Sequence, residues 1–259
     1  MRPLQGVGVL VTRPEHQATP LCRLLESAGA RVRRLPIIDV RPASDPSDVR
    51  RKVGAIDSFD LVVFTSANAV RFGSALLDPR RDVTLAAIGP ATARVLGEAG
   101  WRAAVTPAGG FDSESLLSHP LLANPAGRRV LLVKGMGGRN LLETQLALRG
   151  AQVVVADVYK RERATHCDAT LEALRDEFAA GNIQVVTATS VEIVAGLIDI
   201  ATAALRRDFD RVHWLVPGDR VAAALRERGV AGPILKAGTA ADQDLLAAVV
   251  RWRSSLSEA

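Results

Sequence analysis

Six short turns in this chain combine small, hydroxylated and basic residues in a way that suits the binding of anions. They are residues 12–15 (TRPE), 64–68 (FTSAN), 88–92 (IGPAT), 134–139 (KGMGGR), 187–192 (TATSVE) and 216–220 (VPGDR). Each follows an apolar run and opens a helical pattern. In open parallel sheets ligands sit beyond the carboxyl ends of the strands, where helix N-termini present free amides and a partial positive charge. Ser66 and Ser190 also stand where helix N-caps belong, and capping by itself accounts for a lone serine there. What favours anion binding is the number of such turns, with Asn68 and Thr189 beside the two serines. Lys134 and Arg139 bracket the glycines at 135, 137 and 138 with two cations suited to carboxylates or phosphates.

That glycine loop imitates a dinucleotide fingerprint, since Asp157 ends the next strand-like run twenty residues beyond Gly137. Position 140, where the third glycine belongs, is Asn140, so the imitation is incomplete. Neither G-x-S-x-G nor a readable Cys-His or Ser-His grouping supports nucleophilic catalysis. Cys22 and Cys167 have no disulfide or zinc spacing, and the four histidines form no HExxH pattern, so no metal is expected. Among acid–base candidates, Tyr159 is the single tyrosine and sits in VYKRE just after an apolar run. A phenol is a neutral O–H donor at pH 7 and can protonate a leaving oxygen. Position alone equally suits an aromatic packed at a domain junction.

The elements that carry these turns can be read from periodicity. Strand-like runs alternate with longer helical patterns, VGVLVT followed by PEHQATPLCRLLESAG being the first, which is the signature of βαβ units. Glycines at 29, 100, 150 and 229 close helical segments, and they also mark a duplication. VLVTRPEHQATPLCRLLESAGARVRRLPIIDV from Val9 resembles LLVKGMGGRNLLETQLALRGAQVVVADVY from Leu131, with Gly29 meeting Gly150. LVVFTSANAVRF aligns with QVVTATSVEIVAGL, and AAIGPATARVLGEAGW with WLVPGDRVAAALRERGV. Three βα units per half, repeated in order, predict an α/β fold. They give two similar small domains with parallel sheets flanked by helices, a flavodoxin-like duplication rather than one barrel. Polar, proline- or charge-rich stretches place interdomain crossings at 36–41 and 158–165. Residues 1–36 plus 165–259 then form a discontinuous outer domain and 41–158 an inserted one. Double linkers make hinges, and the cleft between the domains is the expected ligand site.

With 48% hydrophobic and 24% charged residues over 259 positions, the composition is that of a folded globular chain. The apolar runs fall far short of the roughly 20 residues that span a bilayer, and a cytoplasmic protein is expected. Its 33 basic against 28 acidic residues admit a nucleic acid, a membrane surface or a polyanionic small molecule. Dispersed basic residues and few aromatics, six Phe, three Trp and one Tyr, argue against nucleic acid.

Several strings occur here in order and at spacings that resemble the uroporphyrinogen-III synthase family over essentially the whole chain. They are VTRPEHQ with LLESAG, FTSANAV, AAIGPATA, SESLL, VLLVKGMGGRNLL, the VYKR segment and TATS. The resemblance implies two α/β domains joined by a two-stranded connection. It also implies an enzyme that takes hydroxymethylbilane, an open-chain tetrapyrrole with eight carboxylates, loses water, inverts the last pyrrole ring and closes the macrocycle. Tyr159 would assist departure of the hydroxyl, and Thr92 matches a polar residue of the cleft. Ser66, Asn68, Thr189 and Ser190 would present amides and side chains to substrate carboxylates, with Gly138 in the glycine loop and Arg13, Lys134 and Arg139 as charge partners. Glu192 and Asp219 are acidic where the first half has Asn68 and Pro90, and would repel the substrate if directed at it. The family's reaction requires no cofactor. A monomer is expected, with at most a transient contact with hydroxymethylbilane synthase. A non-catalytic binder of a polyanion and a dinucleotide enzyme are the other readings.

Overall fold

The computed structural model describes residues 2–43, 45–53, 56–76, 83–107, 110 and 112–256, the side chains of residues 52, 203 and 204 excepted. The described strands are β1 (Gly8–Val11), β2 (Arg31–Arg34), β3 (Ile38–Pro42), β4 (Leu61–Phe64) and β5 (Thr84–Ala87), then β6 (Arg129–Gly135), β7 (Gln152–Arg163), β8 (Val185–Thr187), β9 (His213–Val216) and β10 (Ile234–Lys236). They form two five-stranded sheets in an α/β chain. The chain divides into two units, Met1–Asp39 with Glu162–Ala259, and Val40–Arg161.

The first unit holds the order β10-β9-β8-β1-β2, all parallel, with Val9 level with Val32 and Val185 and with Leu215 level with Leu235. The second holds β3-β7-β6-β4-β5, in which Val62 lies level with Leu85 and Leu131. β3 runs antiparallel beside β7, because Ala43 N–H donates to the Val158 carbonyl and Ala164 N–H to that of Ile37, both at 3.0 Å. Residues 36–41 and 158–165 therefore fall largely on these two paired strands.

The internal duplication is visible as strand order. β2-β1-β8-β9 of one sheet corresponds to β7-β6-β4-β5 of the other, and a single parallel bridge between Ala86 and Val105 stands where β10 pairs with β9. Of the four matched strands in each sheet, two come from each repeat. Gly29, Gly100, Gly150 and Gly229 close their helices at φ of 99°, 85°, 86° and 76°, the left-handed geometry that ends a helix without a Cβ clash.

Strands buried on both faces explain the unbroken apolar runs, GVLV and LVVF being wholly buried. In the second unit the faces separate by parity. Val62, Phe64, Leu131, Val133, Ala156 and Val158 face one cluster, while Leu61, Val63, Val130 and Leu132 face the other. In the first unit, helices Glu15–Ser27 and Asp242–Ser255 cover one face through Leu21, Leu25, Leu245 and Val249. Elsewhere in that unit Phe178, Phe209 and Trp214 meet edge to face, and the Trp214 indole donates to the Phe209 carbonyl at 2.9 Å.

His213, at the start of β9, lies 4.7 Å from the Trp252 ring, and burial lowers its imidazole pKa from the ordinary value. The unfolded chain then takes up the proton more readily than the folded one, so stability is lost as pH falls through about 6.5 towards the lower folded value. Replacing His213 with Gln should flatten this part of the acid slope in urea unfolding between pH 7.5 and 5.5. An equal loss in both proteins would assign the slope to other groups.

Candidate active site

In the second unit the parallel strands β7, β6, β4 and β5 end at one edge, and the turns beyond them carry most of the sequence candidates in that order. Tyr159 comes from β7, Lys134, Gly138 and Arg139 from the end of β6, Ser66 and Asn68 from beyond β4, and Thr92 from beyond β5. Ser66 is the N-cap of helix Ala67–Gly73, where its Oγ accepts from Ala69 N–H at 3.0 Å. The same Oγ lies 3.1 Å from the Tyr159 hydroxyl. Asn68 and Thr92 are buried at the starts of their helices, and Asn68 Oδ1 accepts from Arg71 at 3.2 Å.

Tyr159 is only 4% exposed. Its ring stacks on Phe72 at 5.9 Å, and the Arg161 guanidinium lies 5.9 Å from its centroid. The register between β6 and β7 slips here. Lys134 is level with Asp157 but Gly135 with Tyr159, leaving Val158 without a partner in that register. Strict alternation would send Tyr159 to the face opposite Val158, whereas this bulge brings both into the cluster beneath helix Ala67–Gly73. Gly73 lets that helix approach, because a Cβ there would stand 2.5 Å from Val133.

The glycine loop turns through Gly137 and Gly138 at φ of 75° and 85°. Lys134 Nζ donates to Asn140 Oδ1 at 3.0 Å and so ties the two ends of the loop, while Arg139 pairs with Glu114 at 3.1 Å on an exposed surface. Both cations stand accessible on this edge, Lys134 half-buried and Arg139 exposed.

The first unit presents its own row of turns. Ser190 caps helix Val191–Ile200, accepting from Ile193 N–H at 3.2 Å. Thr189 Oγ1 accepts from Arg13 Nε at 3.4 Å. Arg13 itself is buried, with Nη1 2.5 Å from Asp242 and Nη2 donating to the Ala240 carbonyl. Asp219 is paired with Lys236 at 2.5 Å, so its charge is countered inside the unit. Glu192 is exposed on its helix. Sequence reasoning read Gly135 only as part of the glycine loop and missed Phe72 and Lys236. A glycine inside the run RVLLVKG was the available signal, since a strand-interior glycine marks a bulge or a close approach.

A family model described as uroporphyrinogen-III synthase HemD matches residues 20–237. The chain belongs to the uroporphyrinogen-III synthase family. It is 31% identical over 251 residues to the uroporphyrinogen-III synthase of Escherichia coli, spanning 93% of this chain and 98% of that protein. It is 30% identical over 217 residues to that of Synechococcus elongatus, covering 80% of each. The crystal structure of a mutant uroporphyrinogen III synthase from the extremely thermophilic bacterium Thermus thermophilus aligns with a TM-score of 0.60 at 25% identity, over 98% of this chain and all of that one. No described helix is long and apolar enough to cross a membrane.

Proposed function

We propose that this chain cyclises hydroxymethylbilane to uroporphyrinogen III with Tyr159 as the proton donor. The observation that carries the reading is the hydroxyl of the chain's single tyrosine, 3.1 Å from Ser66 Oγ at the strand end of the unit whose turns also carry Lys134, Arg139, Asn68 and Thr92. In the first step the phenol gives its proton to the substrate's hydroxyl oxygen as the C–O bond breaks, and water leaves. The pyrrole nitrogen supplies the electrons, producing an azafulvenium cation opposite the phenolate. The substituted carbon of the last ring then attacks that electrophile, and a spiro intermediate permits inversion. The enzyme's contribution there is orientation, which by itself supplies a large part of a barrier reduction. Carbon–carbon bonds are rearranged without net oxidation, so the chemistry calls for neither metal nor organic cofactor.

Eight substrate carboxylates need many modest contacts. Lys134, Gly138, Arg139, Asn68 and Thr92 serve them in this reading, as do Thr189 and Ser190. Arg13 contributes by fixing Thr189 and the turn before helix Asp242–Ser255. The two domains comprise residues 1–36 with 165–259 and residues 41–158, and the protein acts as a cytoplasmic monomer that meets hydroxymethylbilane synthase transiently.

Freshly prepared hydroxymethylbilane tests the proposal, with the oxidised products separated by chromatography. The type III isomer should dominate, and the type I isomer forming at the blank rate would remove the synthase reading. Lys134→Ala and Arg139→Ala should each raise KM roughly five- to tenfold with kcat little changed, because contacts to remote carboxylates are alike in ground and transition states. Raised ionic strength should imitate them in part. A fall in kcat at constant KM would argue against a binding role.

A further inference from the structure

We propose that Gly135 and Ser66 are positioning residues that seat the Tyr159 phenol, Gly135 by the side chain it lacks and Ser66 by its hydroxyl. The inference rests on the reading of Tyr159 as proton donor.

Gly135 has no positive φ, so glycine is not required there by the backbone. What requires it is space. A Cβ at this position would stand 2.4 Å from Tyr159 Cζ and 2.8 Å from the phenol oxygen, closer than such atoms approach in folded proteins. The phenol therefore occupies the volume that a residue 135 side chain would take. The backbone locks this arrangement, since Met136 N–H donates to the Tyr159 carbonyl at 2.7 Å directly after the bulge. Phe72 closes one side of the ring. The ring thus lies in the volume left by the missing side chain at 135, with Phe72 stacked on it.

Ser66 then fixes the oxygen. Its Oγ already accepts from Ala69 N–H at 3.0 Å, and its own hydroxyl proton is free to be donated across the 3.1 Å to the Tyr159 oxygen. A phenol that accepts from Ser66 keeps its proton for the substrate, and the same hydrogen bond strengthens as the oxygen becomes phenolate.

The chain's single tyrosine supplies a direct readout, because protein labelled with 13C at tyrosine Cζ gives one resonance for Tyr159. Gly135→Ala should shift that resonance and lower kcat roughly a hundredfold, the loss expected for about 1 Å of misplacement. Ser66→Ala should shift it and lower kcat roughly tenfold, and Ser66→Thr, which keeps both the helix cap and the hydroxyl, should restore most of the rate. Both effects on kcat should vanish when the substitutions are made on a Tyr159→Phe background. Full activity and an unmoved resonance in Gly135→Ala, or equal losses with and without the Tyr159 hydroxyl, would overturn the positioning role while leaving the proton donor intact. Normal turnover by Tyr159→Phe itself would remove both assignments. Circular dichroism and melting of each variant separate misplacement from misfolding.

Discussion

Tyr159→Phe is expected to lower kcat by about 10²–10⁴-fold, the usual contribution of a general acid, with KM nearly unchanged. The structure makes this a clean substitution. Phenylalanine keeps the stack on Phe72, fits beside Gly135 as the phenol ring does, and loses only the partnership with Ser66. That lost hydrogen bond should cost about 1 kcal/mol of stability, too little to unfold the unit. Residual product should still be the type III isomer, because inversion depends on how the substrate is folded against the protein rather than on this proton. Steady-state rates with hydroxymethylbilane and the isomer ratio check both halves. A variant with normal turnover would return Tyr159 to the role of a packing aromatic, and a switch to the type I isomer would tie the phenol to inversion as well.

Arg13→Ala should act on folding. The guanidinium is enclosed, its side chain 7% exposed, and holds Asp242, the Ala240 carbonyl and Thr189 together at the ends of β1 and β8. Removing it strands a half-buried carboxylate at the start of helix Asp242–Ser255 and leaves a cavity. Breaking such a pair costs about 3 kcal/mol, equivalent to roughly 6–12 °C in melting temperature for a unit of this size. Arg13→Lys should recover only part of this, since an ammonium cannot span the same three acceptors. An unchanged melting curve with a raised KM would instead place Arg13 against substrate.

These two residues show where reading the sequence succeeds and where it stops. The repeat, the closing glycines and the apolar runs express local propensity and burial, and they are legible because the duplication states each of them twice. Tyr159 is legible as a residue but not as a geometry. VVVADVYKRER reads as an apolar run passing into a charged loop, yet β7 continues to Arg163 with its last three residues exposed, because a ladder against β3 needs backbone partners and no apolar face. The bulge at Val158 depends on how β6 and β7 meet, which no window of either strand reveals. Arg13 reads as a substrate cation from its place in TRPE. Its partners Ala240 and Asp242 lie more than 220 residues away, and only the folded sheet brings them to it.

The division of each repeat between two sheets sets an order of events at the ribosome. β4, β5, β6 and β7 emerge in succession, so the inserted unit can close as soon as its own residues are clear. β1 and β2 emerge earlier and have no third strand until Val185 arrives to lie beside Val9. At 5–20 residues per second, some 150 residues of synthesis separate Arg34 from Val185, a wait of roughly 8–30 s. During that wait the wholly apolar β1 and its open edge depend on β2 and the first helix for cover. β1 and β2 thus wait longest for their third strand, and they are where chaperones that hold nascent chains have the longest opportunity to bind.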